Sequence, residues 1–223
     1  MKNMTQKTTP FALWIIALAL RKALNFSRFI APHFVVVTPL LGSFLSASSV
    51  CGTFAVLTVV NIFFYKLPIT LGIPTLLATL SWSVSSNKKS CLSNIILDAT
   101  LHVLLPLACM ALFITHPVGN EAVAYSFYWF IPMITWALRH SKTTSMSFII
   151  ALQSTFVAHA VGSVIWLFTV PMAPVQWLAL IPIVAIERLT IAGTSALLYE
   201  VGCICTARIG RKSASHKAGT VQI

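Results

Sequence analysis

Residues 146–169 read MSFIIALQSTFVAHAVGSVIWLFT, with no Asp, Glu, Lys or Arg. A helix rises about 1.5 Å per residue, so crossing a hydrocarbon core of roughly 30 Å takes about 20 mostly apolar residues. This run is long enough, and comparable runs occupy 29–47, 50–66, 93–115, 121–138 and 176–204. A transmembrane barrel would show alternating strands of about ten residues instead. Unbroken runs satisfy their backbone in lipid only as helices. The expected fold class is therefore all-α, a polytopic transmembrane helical bundle. Composition agrees. The chain is 57% hydrophobic and 9% charged, against about 25% charged in soluble domains.

Segment 68–84, PITLGIPTLLATLSWSV, is shorter and carries Pro68, Gly72 and Pro74. It is expected as a short embedded or re-entrant piece. Charge sets the topology. The net charge of +11 comes from 15 Lys and Arg against 4 Asp and Glu. The cations gather at the ends of apolar runs: Arg21, Lys22 and Arg28; Lys88 and Lys89; Arg139 and Lys142; Arg208, Arg211, Lys212 and Lys217. That is the positive-inside pattern rather than a nucleic-acid footprint. Loops 115–120 and 170–176 hold no Lys or Arg and read as external. Parity then gives about six spans with both termini cytoplasmic. A crossing by 11–28 would give eight.

Lys2 and Lys7 precede FALWIIALAL, and Ala17-Leu-Ala19 resembles a signal-peptide cleavage site. Arg21-Lys22 follow at once, so a retained segment is expected. The chain divides into a cytoplasmic or interfacial segment (1–28), a transmembrane domain (29–205) and a basic cytoplasmic tail (206–223). The expected location is the plasma (inner) membrane, with the lipid bilayer as a partner. The five cysteines show neither disulfide-framework nor metal spacing. No metal or cofactor is expected.

Charged side chains at mid-bilayer cost about 2.5–3.5 kcal/mol on insertion scales and usually face a bundle interior or a watered cavity. Asn94, Asp98 and His102 recur every four residues, on one helical face. Asp98 and His102 form a candidate proton relay. His159 lies near the centre of 146–169, and Ala158-xxx-Gly162 has small-xxx-small spacing. Glu187 and Arg188 sit mid-run in 176–204. Adjacent helical residues point about 100° apart, so each is expected to find its own partner. Asp98 or an anionic substrate suits Arg188; His102 or His159 suits Glu187. His33 and Asn61 are further polar groups, read as interfacial or packing residues. The tryptophans lie mostly near run ends, as in an interfacial belt. Tyr125, Tyr128 and Trp129 could instead line an aromatic pocket. The candidate substrate-binding set is Arg188, Glu187, His159, His102 and Trp129.

Six spans in about 200 residues, cytoplasmic termini and no nucleotide motif resemble the substrate-binding S component of energy-coupling factor (ECF) vitamin transporters. KLPITLGIPTLLATL is similar to the PITLQTL segment of biotin-type members, with the Gln replaced. Ala19-Leu-Arg-Lys-Ala23 has the spacing of that family's Ala-xxx-Ala contact with the coupling subunit, with two cations inside it. The resemblance implies capture of a vitamin-like or other small-molecule substrate, with a transmembrane coupling subunit and ATPases as partners. Uptake driven by protons through Asp98 and His102 is a variant. A scaffold without ligand is the alternative. An intramembrane metal enzyme comes behind both, because no catalytic frame is present: Glu187 stands alone and Phe156-Val-Ala-His159 has the wrong spacing for a CAAX-type protease.

Overall fold

A computed structural model describes residues 39–43, 45–60, 72–86, 92–141 and 146–219, without the side chains of 57–60, 141 and 208–219. Every regular element among them is helical. In chain order they are a 3-10 turn (Leu41–Ser43), α1 (Ala47–Val60), α2 (Ile73–Ser86), α3 (Leu92–Thr115), α4 (Pro117–Glu121), α5 (Val123–Ser126), a second 3-10 turn (Phe127–Trp129), α6 (Phe130–Ser141), α7 (Met146–Thr169) and α8 (Pro174–Gly219).

Among the described residues, three helices are long and apolar enough to cross a membrane: α3, α7 and the Pro174–Ala207 part of α8. They match the expected runs 93–115, 146–169 and 176–204, and are consistent with a membrane location. Their burial differs. The apolar window of α7 is 61% buried inside the protein, that of α3 28% and that of α8 17%. The bundle is thus built around α7, while α8 shows most of its apolar surface outward. Outward apolar surface is what lipid solvates at no cost.

Local chemistry fixes the helix ends. The Gly72 carbonyl accepts the first bond of α2, from Leu76 N at 3.0 Å. Pro74 sits in the first turn, where its missing N–H is not needed. His116 caps α4, its Nδ1 accepting from Val118 N at 3.3 Å ahead of Pro117. At α8, Gln176 Oε1 reaches back to accept from Ala173 N at 2.8 Å. That is the return half of a capping box. Within α3, residues Thr100–Leu104 form a π turn, closed by Leu105 N donating to the Thr100 carbonyl. It lies just ahead of Pro106, which cannot donate back to the His102 carbonyl.

The expected short segment 68–84 is described from Gly72 onward. Helix α2 is 14 residues long, about 21 Å at 1.5 Å per residue, short of a full crossing. It is no marginal piece, however. Ala78 to Val84 are all buried, enclosed by α7, α1, α3 and the first 3-10 turn. A Cβ at Gly42 would collide with the Thr79 carbonyl, so the backbones there approach as closely as glycine allows. Ser83 Oγ donates to the Leu45 carbonyl at 2.5 Å and Ser154 Oγ to the Ala78 carbonyl at 2.9 Å. Hydroxyls thus tie α2 to both neighbours.

Two expectations need correction. Run 121–138 is not one regular helix: it breaks at Ala122 (φ −113°, ψ 29°) and tightens into the 3-10 turn Phe127–Trp129. Helix α8 runs on through the first part of the expected tail, 206–223, to Gly219. The expected loop 115–120 is also largely helical, as α4. The expected segments 11–28 and 29–38, with His33, and also Asn61, Lys88, Lys89 and Lys142, lie outside the described residues.

Candidate functional site

Helix α7 places Ala151, Ser154, Thr155, Ala158, His159, Gly162, Ser163 and Trp166 at intervals of three and four, along one face. Small side chains on that face leave space against α2 and α8. The result is a pocket of about 340 Å³, closed by Trp82 and Pro74 from α2, Tyr125 from α5, and Trp177, Arg188 and Ser195 from α8. Gly162 opens toward Pro74, whose Cγ would lie 3.7 Å from an added Cβ.

Arg188 is the charged residue among the described lining groups. Its Nη1 donates to Thr155 Oγ1 at 3.4 Å and its Nη2 to Glu187 Oε1 at 3.2 Å. His159, 7% exposed, has Nε2 3.1 Å from the Tyr125 hydroxyl, which lies 3.2 Å from Ser163 Oγ. Beside them, Tyr125, Phe113, Trp129 and Trp177 pack ring on ring, with centroids 4.9 to 5.7 Å apart. A second, more open depression of about 530 Å³ lies between His116 and the 167–173 loop and holds no Asp, Glu, Lys or Arg.

The sequence-derived set divides. Arg188 and His159 line the pocket. Glu187 does not: its side chain is 50% exposed and points away, while Arg188 is 16% exposed. The expectation that each would find its own partner is corrected for Glu187, which pairs with Arg188 at 3.2 Å. Their long side chains bridge the 100° between them, and Glu187 binds neither His102 nor His159. Trp129 is fully buried in the aromatic cluster and lines neither of these two pockets. The expected interfacial belt fails for Trp82, Trp129 and Trp177, all at most 2% exposed.

His102 and Asp98 belong to a separate cluster between α2, α3 and α6. The π turn points His102 inward, where it is fully buried. Its Nδ1 donates to the Asp98 carbonyl at 2.8 Å and lies 3.0 Å from Asp98 Oδ1. Its Nε2 meets Ser81 Oγ at 2.7 Å. Asp98 Oδ2 accepts from Trp136 Nε1 at 2.8 Å and pairs with an Arg139 guanidinium nitrogen. The Asp98–His102 pair was foreseen, but Asp98 takes Arg139 rather than Arg188. Neither Asp98, His102, Trp136, Arg139 nor Ser81 lines the pocket.

Sequence reasoning missed Trp82, Trp177, Ser154, Thr155 and Ser163. The signal was present: a small and hydroxyl stripe at positions 151 to 163 of α7, on the face that carries His159. No group of His, Cys, Asp and Glu among the described residues is arranged to hold a metal ion.

Fold and site together define a helical bundle of membrane character with a partly open pocket whose wall carries one guanidinium. No protein-family model matches this chain, nor does any curated protein or solved structure.

Proposed function

We propose that this is a multi-pass membrane protein, of about six spans with both termini cytoplasmic, that binds a small metabolite in the α2–α7–α8 pocket for uptake. The observation that carries the reading is the pocket itself: about 340 Å³, ringed by aromatic side chains, with Arg188 and His159 on its wall. That volume is at the lower end of the roughly 300–1,000 Å³ typical of small-molecule sites. In the ECF-like form of the proposal, a transmembrane coupling subunit and ATPases supply the energy. In a second form protons supply it, favoured by the buried Asp98–His102 contact at 3.0 Å. A ligand-free scaffold would have no use for the pocket.

The test is a metabolite screen for thermal stabilisation of the purified full chain, since a ligand that binds only the folded state raises its stability. The variant Ala158→Trp fills the pocket and serves as control. At least one compound should stabilise the wild type and leave Ala158→Trp unmoved. A screen in which no compound separates the two proteins would overturn the proposal.

A further inference from the structure

The unmet hydrogen-bonding capacity of the pocket is one-sided. Arg188 Nε, Trp82 Nε1 and Trp177 Nε1 are buried without an acceptor, and all three residues line the pocket. Trp82 is 1% and Trp177 2% exposed. A buried donor left unpaired carries its full desolvation cost. Several lining hydroxyls, by contrast, are engaged: Ser154 with the Ala78 carbonyl, Thr155 with Arg188, and Tyr125 with His159 and Ser163. No Asp or Glu is among the lining residues. With a guanidinium and no carboxylate on its wall, the pocket favours an occupant that brings acceptors.

Charge narrows the class. A guanidinium has five N–H donors in a planar fork. Glu187 takes one on Nη2 and Thr155 one on Nη1, and the Nε–H is unclaimed. A flat oxyanion fits that edge better than a single acceptor atom does. Because Glu187 already shares the one positive charge, a singly charged group, which leaves one negative charge over, costs less here than a dianionic phosphate, which leaves two. An amine would find no carboxylate on the wall. The rings of Trp82, Tyr125, Trp166 and Trp177 favour a planar aromatic body, which stacks or meets them edge to face.

We infer that the pocket takes a small aromatic monocarboxylate, its carboxylate on the Arg188 guanidinium and its ring among the tryptophans. This rests on the reading of the pocket as a metabolite site.

The experiment measures binding to the full chain in detergent by tryptophan fluorescence and calorimetry. The probes are benzoate and indole-3-acetate, with their amides, phenyl phosphate and benzylamine. The carboxylates should bind at least about tenfold more tightly than their amides, a difference near 1.4 kcal/mol. Arg188→Gln should erase that preference, and Arg188→Lys should keep part of it. The inference is overturned if amides equal acids, if phenyl phosphate or benzylamine binds more tightly, if no carboxylate binds, or if Arg188→Gln retains the preference. A neutral or cationic probe that binds wild type more tightly than the carboxylates do, and does not bind Ala158→Trp, would remove the carboxylate class and leave the small-molecule reading standing. That reading fails separately, in the broad screen.

Discussion

Glu187 and Arg188 are chain neighbours that pair at 3.2 Å while facing different surroundings. Arg188 enters the pocket. Glu187 lies on the outer face of α8, near Ile183 and Ile186, which are 58% and 69% exposed. The pair thus joins the interior to an apolar outer surface, and each charge lowers the cost of the other.

That coupling predicts a non-additive pair of substitutions. Arg188→Ala strips Glu187 of its partner on an apolar face and should lower Tm clearly. Glu187→Gln should lower it less, because Arg188 keeps Thr155. In Glu187→Gln/Arg188→Ala part of the Arg188→Ala loss should return, since the stranded carboxylate is gone. Thermal unfolding of the four proteins in one detergent checks this. If the two single losses simply add in the double variant, the neighbours are not coupled.

Asp98 is the stronger structural charge. It holds Arg139, Trp136 and His102 together across α3 and α6, and the Asp98 and Arg139 side chains are 13% and 8% exposed. Removing one member of a buried pair typically costs about 3–5 kcal/mol, so Asp98→Ala should destabilise by that order. Trp136→Phe removes one bond to a charged acceptor, worth about 1.5–3 kcal/mol, and should cost less. Chemical denaturation of the detergent-solubilised variants gives the ranking. An Asp98→Ala protein as stable as Trp136→Phe would contradict it.

Legibility in the sequence followed the physics of each element. The run 146–169 is α7 to the residue, because an uncharged apolar run leaves the backbone only its own hydrogen bonds. Run 121–138 failed because its break depends on how Tyr125, Tyr128 and Trp129 pack against distant rings. A tryptophan at a span end reads the same whether it meets headgroups or Phe113. Asp98 was visible as a charge needing a partner, but its partner lies 41 positions away. Local spacing could pair it with His102 and no further. Arg188 and His159 stood out as rare polar groups in apolar runs. The serines and tryptophans beside them were ordinary membrane residues until the helices came together around a space.

Two glycines should respond oppositely to alanine. At Gly42 a Cβ would meet the Thr79 carbonyl and, at 3.0 Å, Ser83 N. Backbone cannot move aside as a side chain can, and overpacking of this kind costs about 1–3 kcal/mol. Gly193, inside α8, has nothing within 4 Å of the added carbon. Alanine there should be neutral or stabilising, by up to about 1 kcal/mol from helix propensity. Paired Tm measurements decide. A Gly42→Ala protein as stable as wild type would mean that α2 does not lie this close to the 41–43 turn.

Ser81 and His102 should show what a sealed polar contact costs to break. Both are fully buried, and Ser81 Oγ lies 2.7 Å from His102 Nε2. The Asp98 carbonyl can only accept, so Nδ1 carries the proton of that contact and Nε2 accepts from the serine hydroxyl. Ser81→Ala leaves Nε2 without a donor and should cost about 1–3 kcal/mol. The cluster and the pocket share no residue. Binding of a pocket ligand should therefore change little in Ser81→Ala, while Asp98–His102 proton traffic, if it drives uptake, would change with it. Measuring stability, ligand affinity and uptake on this one variant separates the roles. Loss of stability with affinity and uptake intact marks the cluster as a structural tie. Loss of uptake at unchanged affinity and retained fold marks it as part of the energy coupling.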